Sequence, residues 1–120
     1  MKYLCLIYYD EKKLDALSKS ELDTLIEEAL AYDEVLRKGG HFIAAQALQS
    51  VQAATTLRVR NGKVSITDGP FAETKEQLGG FVLINARDLN EAIQVASKLP
   101  PSRLGGVEVR PVWELTQQEP

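Results

Sequence analysis

Apolar and polar positions along this chain switch repeatedly between the two-residue rhythm of a strand and the helical rhythm, and each switch marks an element. Lys2 to Tyr9 is rich in leucine, isoleucine and aromatic residues and stops at Asp10, which reads as a first strand. A charged link, Glu11 to Ala16, follows. Ser18 and Glu21 have the spacing of a capping box, and Leu17 with Leu22 that of a hydrophobic staple. Apolar residues then recur at Leu22, Leu25, Ile26, Ala29 and Leu36, with Tyr32 and Val35 nearby, a helical stripe that ends at Lys38-Gly39-Gly40.

Phe42 to Leu48 reads as a second strand. Thr55 to Arg60, Asn61-Gly62 and Lys63 to Thr67 form a hairpin, because Asn-Gly suits a two-residue type I′ turn. That register pairs Val59 with Val64 and Leu57 with Ile66 on one face, and sets Arg58 and Ser65 on the other. Phe81 to Ala86 is a further strand. Asp88 and Glu91 signal a second helix start, with a stripe of Leu89, Ala92, Ile93, Ala96 and Leu99 that Pro100-Pro101 ends. Val107 to Leu115 is the last strand, and Pro111 assigns it to an edge or a strand end. The order is β-α-β-hairpin-β-α-β. The expected fold is α+β, a ferredoxin-like split βαβ sheet with an inserted β-hairpin, in one domain over residues 1–115 with a flexible tail at 116–120. Both helices lie on one face of such a sheet.

The two strands expected at its centre are apolar on both faces. Leu4, Leu6 and Tyr8 alternate with Tyr3, Cys5 and Ile7, and Phe81 and Leu83 alternate with Val82 and Ile84. A sheet covered on one side only shows polar residues at every second position. Each apolar side chain left wet forgoes roughly 1.5–3 kcal/mol. The second face therefore needs a cover. Either a second copy of the chain stacks its sheet there, making a homodimer, or the hairpin and the loop at residues 68–80 fold back over it.

Composition narrows the function classes. The 120 residues are 44% hydrophobic and 26% charged, which is ordinary for a globular domain. A net charge of −3 and a pI near 5.2 argue against nucleic-acid binding, and the cluster Arg58, Arg60 and Lys63 reads as a solvated face. No apolar run approaches the ~18–20 residues that cross a bilayer, and the first residues do not form a secretory signal, so the expected location is cytoplasmic without membrane contact. The single cysteine, Cys5, rules out an internal disulfide and a cysteine-based metal cluster. One histidine and no calcium-loop, P-loop or dinucleotide spacing leave no metal and no cofactor expected.

The densest chemistry lies in Asp68-Gly69-Pro70-Phe71-Ala72-Glu73-Thr74-Lys75-Glu76-Gln77-Leu78-Gly79-Gly80, where three acids, a lysine, three glycines and a proline occupy thirteen residues. A plain connection needs about 4–6 residues and no such charge. Asp68 is a candidate general base or ligand acceptor, its turn position allowing equally a carboxylate bonded to nearby backbone. Lys75 is a candidate anion binder and Glu73 or Glu76 a proton carrier, with a surface ion-pair cluster as the alternative. Phe71 serves as a pocket wall or, more in keeping with its size, as an anchor into the core. His41, after the Gly39-Gly40 cap and at a strand start, is a candidate acid/base group or a surface or cap residue. Tyr8 projects into a pocket or fills the core, and Arg110, alternating with Val109, points off the last strand beside Glu108. Gly69 and Pro70 complete the candidate ligand-binding set.

The run Asp68-Gly69-Pro70-Phe71-Ala72-Glu73-Thr74-Lys75-Glu76, followed by Leu78-Gly79-Gly80-Phe81, resembles the signature of the DGPF-domain branch of the YCII-related proteins. Met1-Lys2-Tyr3-Leu4, Val59-Arg60-Asn61-Gly62 and Glu108-Val109-Arg110-Pro111 match that branch too, so the resemblance covers roughly residues 1–115. It implies a dimeric α+β barrel, a bacterial origin and, by analogy with relatives encoded beside sigma factors, a regulatory link to one. It also implies an enzymatic option, since some members of the wider group hold a His–Asp pair whose histidine comes from the first helix. Residues 18–38 here contain no histidine, so that pair does not carry over.

Two functions from different classes follow. One is a homodimeric binding module that holds a small molecule beneath the 68–80 loop, in a regulatory role. The alternative is a cofactor-free lyase or isomerase working through Asp68-centred acid/base chemistry.

Overall fold

Alternation in the first strand decides the layering. In a computed structural model that describes residues 1–118, the chain runs β1 (Lys2–Tyr9), α1 (Glu11–Asp15), α2 (Lys19–Lys38), β2 (Phe42–Ala47), β3 (Thr55–Arg60), β4 (Lys63–Asp68), β5 (Gln77–Asn85), α3 (Leu89–Ala96) and β6 (Gly105–Pro111). Tyr3, Cys5 and Ile7 of β1 and Val82 and Ile84 of β5 are buried against Leu36, Ala92, Val95, Ala96 and Leu99 from the helical side. Leu4, Leu6, Phe81 and Leu83, on the other face, are only partly buried. Four antiparallel strands form the sheet in the order β2-β5-β1-β6, so the two doubly apolar strands take the centre. This is the ferredoxin-like α+β plan, and β6 with its terminal Pro111 is an edge strand as the proline requires.

The capping signals form as their spacing dictates. Ser18 accepts from the Glu21 N–H while the Glu21 carboxylate accepts from Ser18 N, closing the box at the start of α2. The Ser18 backbone N–H, and after it the Ser18 hydroxyl, hold the Glu21 carboxyl below the usual glutamate range. Asp88 caps α3 by accepting from Glu91 N, but Glu91 itself accepts from Arg87 N, so this box is half made. Tyr32 donates to the Val95 carbonyl at 2.7 Å and ties α2 to α3 across the sheet.

Four expectations shift. The link at 11–16 contains a short helix, α1, because Asp10 accepts from Lys12 N and caps it. The stripe of α3 is rotated: Val95 is buried, while Leu89 and Ile93 are about half exposed. The last strand ends at Pro111, with a 3-10 turn at Leu115–Gln118; the tail expected at 116–120 overlaps that turn, and Glu119 and Pro120 lie outside the described residues. Finally, β5 begins at Gln77, so the polar loop proper spans 69–76.

The early start of β5 rests on two glycines. At Gly79 an added Cβ would collide with the Tyr9 ring, and at Gly80 it would stand 2.8 Å from the Gln46 carbonyl oxygen. Only bare backbone lets the ring and the neighbouring strand approach this closely.

The hairpin forms the second sheet with the expected register, Val59 opposite Val64 and Leu57 opposite Ile66, and Asn61 and Gly62 have positive φ at its turn. It lies off the main sheet. Leu57, Val59, Val64 and Ile66 are 55–69% exposed, and the Cα extents are 53 × 46 × 18 Å. The radius of gyration, 16.5 Å, exceeds the roughly 14 Å of a compact chain of this length.

Candidate functional site

Consecutive residues of a strand point to opposite faces, and at the end of β1 this places two tyrosines in two different cavities. Tyr8 lines a cavity of about 700 Å³ under the 69–76 loop. Tyr9 lines a groove of about 450 Å³ beneath α2 on the helical side.

The first cavity is built from the loop upward. Gly69 leaves β4 at φ +110°, where a side chain would be strained. Its N–H donates to Ala54 O and its carbonyl accepts from the Thr56 hydroxyl, both at 2.8 Å, so the loop starts from a fixed point. At the other end Gln77 donates to Thr74 O at 2.6 Å. Pro70 and Phe71 form one wall, and Leu78 continues it. The opposite wall is the segment 48–54, held by Glu11: its carboxylate accepts from the Ser50 hydroxyl at 2.7 Å and from Val51 N at 2.9 Å. The lining surface is mostly apolar, and Tyr8, Gln49, Ser50, Thr74, Glu76 and Gln77 carry its polar groups. Such a mixture suits a ligand with an apolar body and a few hydrogen-bonding groups.

Of the residues singled out from the sequence, Tyr8, Pro70, Phe71 and Glu76 come together here. Phe71 is not the expected core anchor. It is 73% exposed at the cavity rim, with the Arg58 guanidinium 4.5 Å from its ring centre, a cation–π contact that holds the ring outside. Asp68, Glu73 and Lys75 are exposed and stand outside the lining. Asp68 closes β4 opposite Thr55, and among the described residues its carboxylate has no hydrogen-bond partner. His41 sits at the far end of β2, about 23 Å of strand from Leu48. Its Nδ1 lies 2.8 Å from Asn85 O and 4.0 Å from a Glu91 oxygen, which joins β2 to β5. Arg110 donates from Nε to Glu108 at 2.7 Å along the β6 edge.

The helical-side groove holds what the sequence reading passed over. Asp33 lines it between α2 and the sheet, and burial pushes its carboxyl above the usual aspartate range, with Arg37 opposing and Glu34 adding. Tyr9 is raised by burial and by the Glu11 carboxylate. A signal for Asp33 existed: it falls four residues after Ala29 and three before Leu36, an acid on an apolar stripe. Nothing comparable marks Ser50 or Glu11, whose pairing spans 39 residues. Among the described residues no group of three or more His, Cys, Asp or Glu side chains converges as a metal site, and no helix is long and apolar enough to cross a membrane.

The chain matches the YCII-related domain model over residues 1–116 and belongs to that family. An uncharacterized protein of Rhizobium meliloti (strain 1021) is 39% identical over 114 residues, covering 93% of this chain and 92% of that one. Among solved structures, the 5-chloro-2-hydroxyhydroquinone dehydrochlorinase of Burkholderia phenoliruptrix AC1100, in complex with 2,5-dihydroxybenzoquinone, superposes with a TM-score of 0.53 at 16% identity over 94% of both chains. That likeness is one of fold.

Proposed function

We propose that this chain is a bacterial, cytoplasmic, DGPF-branch member of the family that binds a small, flat, largely apolar molecule in the cavity under the 69–76 loop, as a homodimer and in a regulatory role. The observation that carries this reading is the cavity itself: about 700 Å³, fixed at both ends of its loop, with Tyr8, Glu76 and Gln77 set in apolar walls. The sheet face of Leu4, Leu6, Phe81 and Leu83 supports the dimer, since these apolar side chains are only partly buried in a chain 18 Å thick. A protein of the same fold holding a quinone supports a ring-sized ligand. The test is a ligand-observed NMR screen of phenols and aromatic acids, followed by amide shifts. Saturable binding that moves Ser50, Glu76 and Gln77 and is lost in Leu78→Arg supports the reading. Binders that shift none of those amides refute it.

A second reading, a cofactor-free lyase or isomerase, draws on one observation: an aspartic acid whose carboxyl burial raises above its usual range, in an apolar groove, is a usable general acid or base. In this version the chemistry belongs to Asp33 and Tyr9 on the helical side rather than to exposed Asp68. Turnover that survives Asp33→Asn but not Asp68→Asn would reverse that assignment.

A further inference from the structure

The β3–β4 hairpin has two unlike faces, and among the described residues nothing covers the apolar one. One face carries Leu57, Val59, Val64 and Ile66, all more than half exposed. A two-stranded ribbon is marginal in water without a surface to lie on. The other face carries Arg58, which caps Phe71 at the rim of the cavity.

We infer that the hairpin is an arm that lies, apolar face down, on a second copy of this chain, and that by doing so it holds Phe71 at the cavity rim, so each binding site is complete only in the dimer. This inference rests on the dimer proposed above. Charge selects the occupant. Arg58, Arg60 and Lys63 against Asp68 give residues 55–68 a charge of +2, so the rest of a chain at −3 carries −5. A positive arm reaching a negative body is complementary to its own copy. Area points the same way. The arm's four apolar side chains expose on the order of 300 Å², and the partly buried sheet face adds less per residue. A stable dimer buries about 800 Å² on each partner. Neither patch suffices alone, and the arm adds its area to that of the sheet face in one interface.

The experiment uses the full chain. Cys5 is fully buried and burial pushes its thiol up to about 11, so a cysteine introduced by Ile66→Cys is the one reactive thiol. It is labelled with a benzophenone maleimide, mixed with excess unlabelled ¹⁵N chain, irradiated and mapped by mass spectrometry. Crosslinks from position 66 to heavy peptides are expected, together with an at least tenfold weaker dimer in Val59→Lys and a further weakening of wild type between 50 and 500 mM salt. Crosslinks confined to the light chain, in a protein that still sediments as a dimer, overturn the arm but leave the sheet-stacked dimer standing. A monomer at all concentrations overturns both. To test the rim, binding of 8-anilinonaphthalene-1-sulfonate is titrated across the dimer transition. Affinity that falls with dissociation, and falls likewise in Arg58→Ala, supports a site completed in the dimer; affinity independent of both overturns it.

Discussion

The two antiparallel ribbons of this chain obey the same pairing rules and end in opposite environments. In β1–β5, Tyr3, Cys5 and Ile7 stand beside Ile84, Val82 and Gly80, and one face of the pair is sealed by α2 and α3. In β3–β4, Leu57 and Val59 stand beside Ile66 and Val64 with equally good register, yet no layer of the same chain lies over them. Register is a local property, settled by alternation and by the turn. Burial is not. The comparison separates apolar residues buried within the chain from apolar residues that pair in register yet stay exposed.

The sharpest way to break the comparison is to cut the sealed ribbon. Ile84 is fully buried, so Ile84→Ala is expected to lower unfolding free energy by about 2–5 kcal/mol in urea titrations. A loss below 1 kcal/mol would mean that the helical face is not the folding core. Next comes Gly79→Ala, which forces a Cβ into the Tyr9 ring and should cost about 1–3 kcal/mol. Most of that loss should be recovered in the double variant with Tyr9→Ala, and additive losses would show that the ring is not the obstacle. Ser18→Ala removes the cap of the helix that seals the ribbon and should cost about 1 kcal/mol. On the open ribbon, Ile66→Thr should change stability by less than about 0.5 kcal/mol when measured at dilutions where copies are apart.

The smallest effect sharpens the picture of the groove. Burial raises the Asp33 carboxyl, so the folded chain binds that proton more tightly than the unfolded chain does. Its cost to folding is absent at low pH, where both states are protonated, and sets in as pH rises through the window between the unfolded and folded values. Asp33→Asn should therefore melt slightly higher than wild type at pH 7, by about 2 °C or less, and show no gain at pH 3. A gain that persists at pH 3 would place the effect in packing rather than charge.

Sequence alone carried what depends on near neighbours: the capping box at Ser18 and Glu21, the Asn61-Gly62 hairpin and its register, Pro111 at an edge or strand end, and the doubly apolar β1 and β5. These follow from spacing and backbone stereochemistry, which a chain of residues states outright. Tertiary structure alone decided which polar groups meet. Glu11 reaches Ser50 and Val51, Asp33 enters a groove, Phe71 stays outside beneath Arg58, and His41 is strapped to Asn85 far from the cavity. Those meetings depend on how far the loops let the elements travel before packing stops them, and no local pattern of residues encodes that distance.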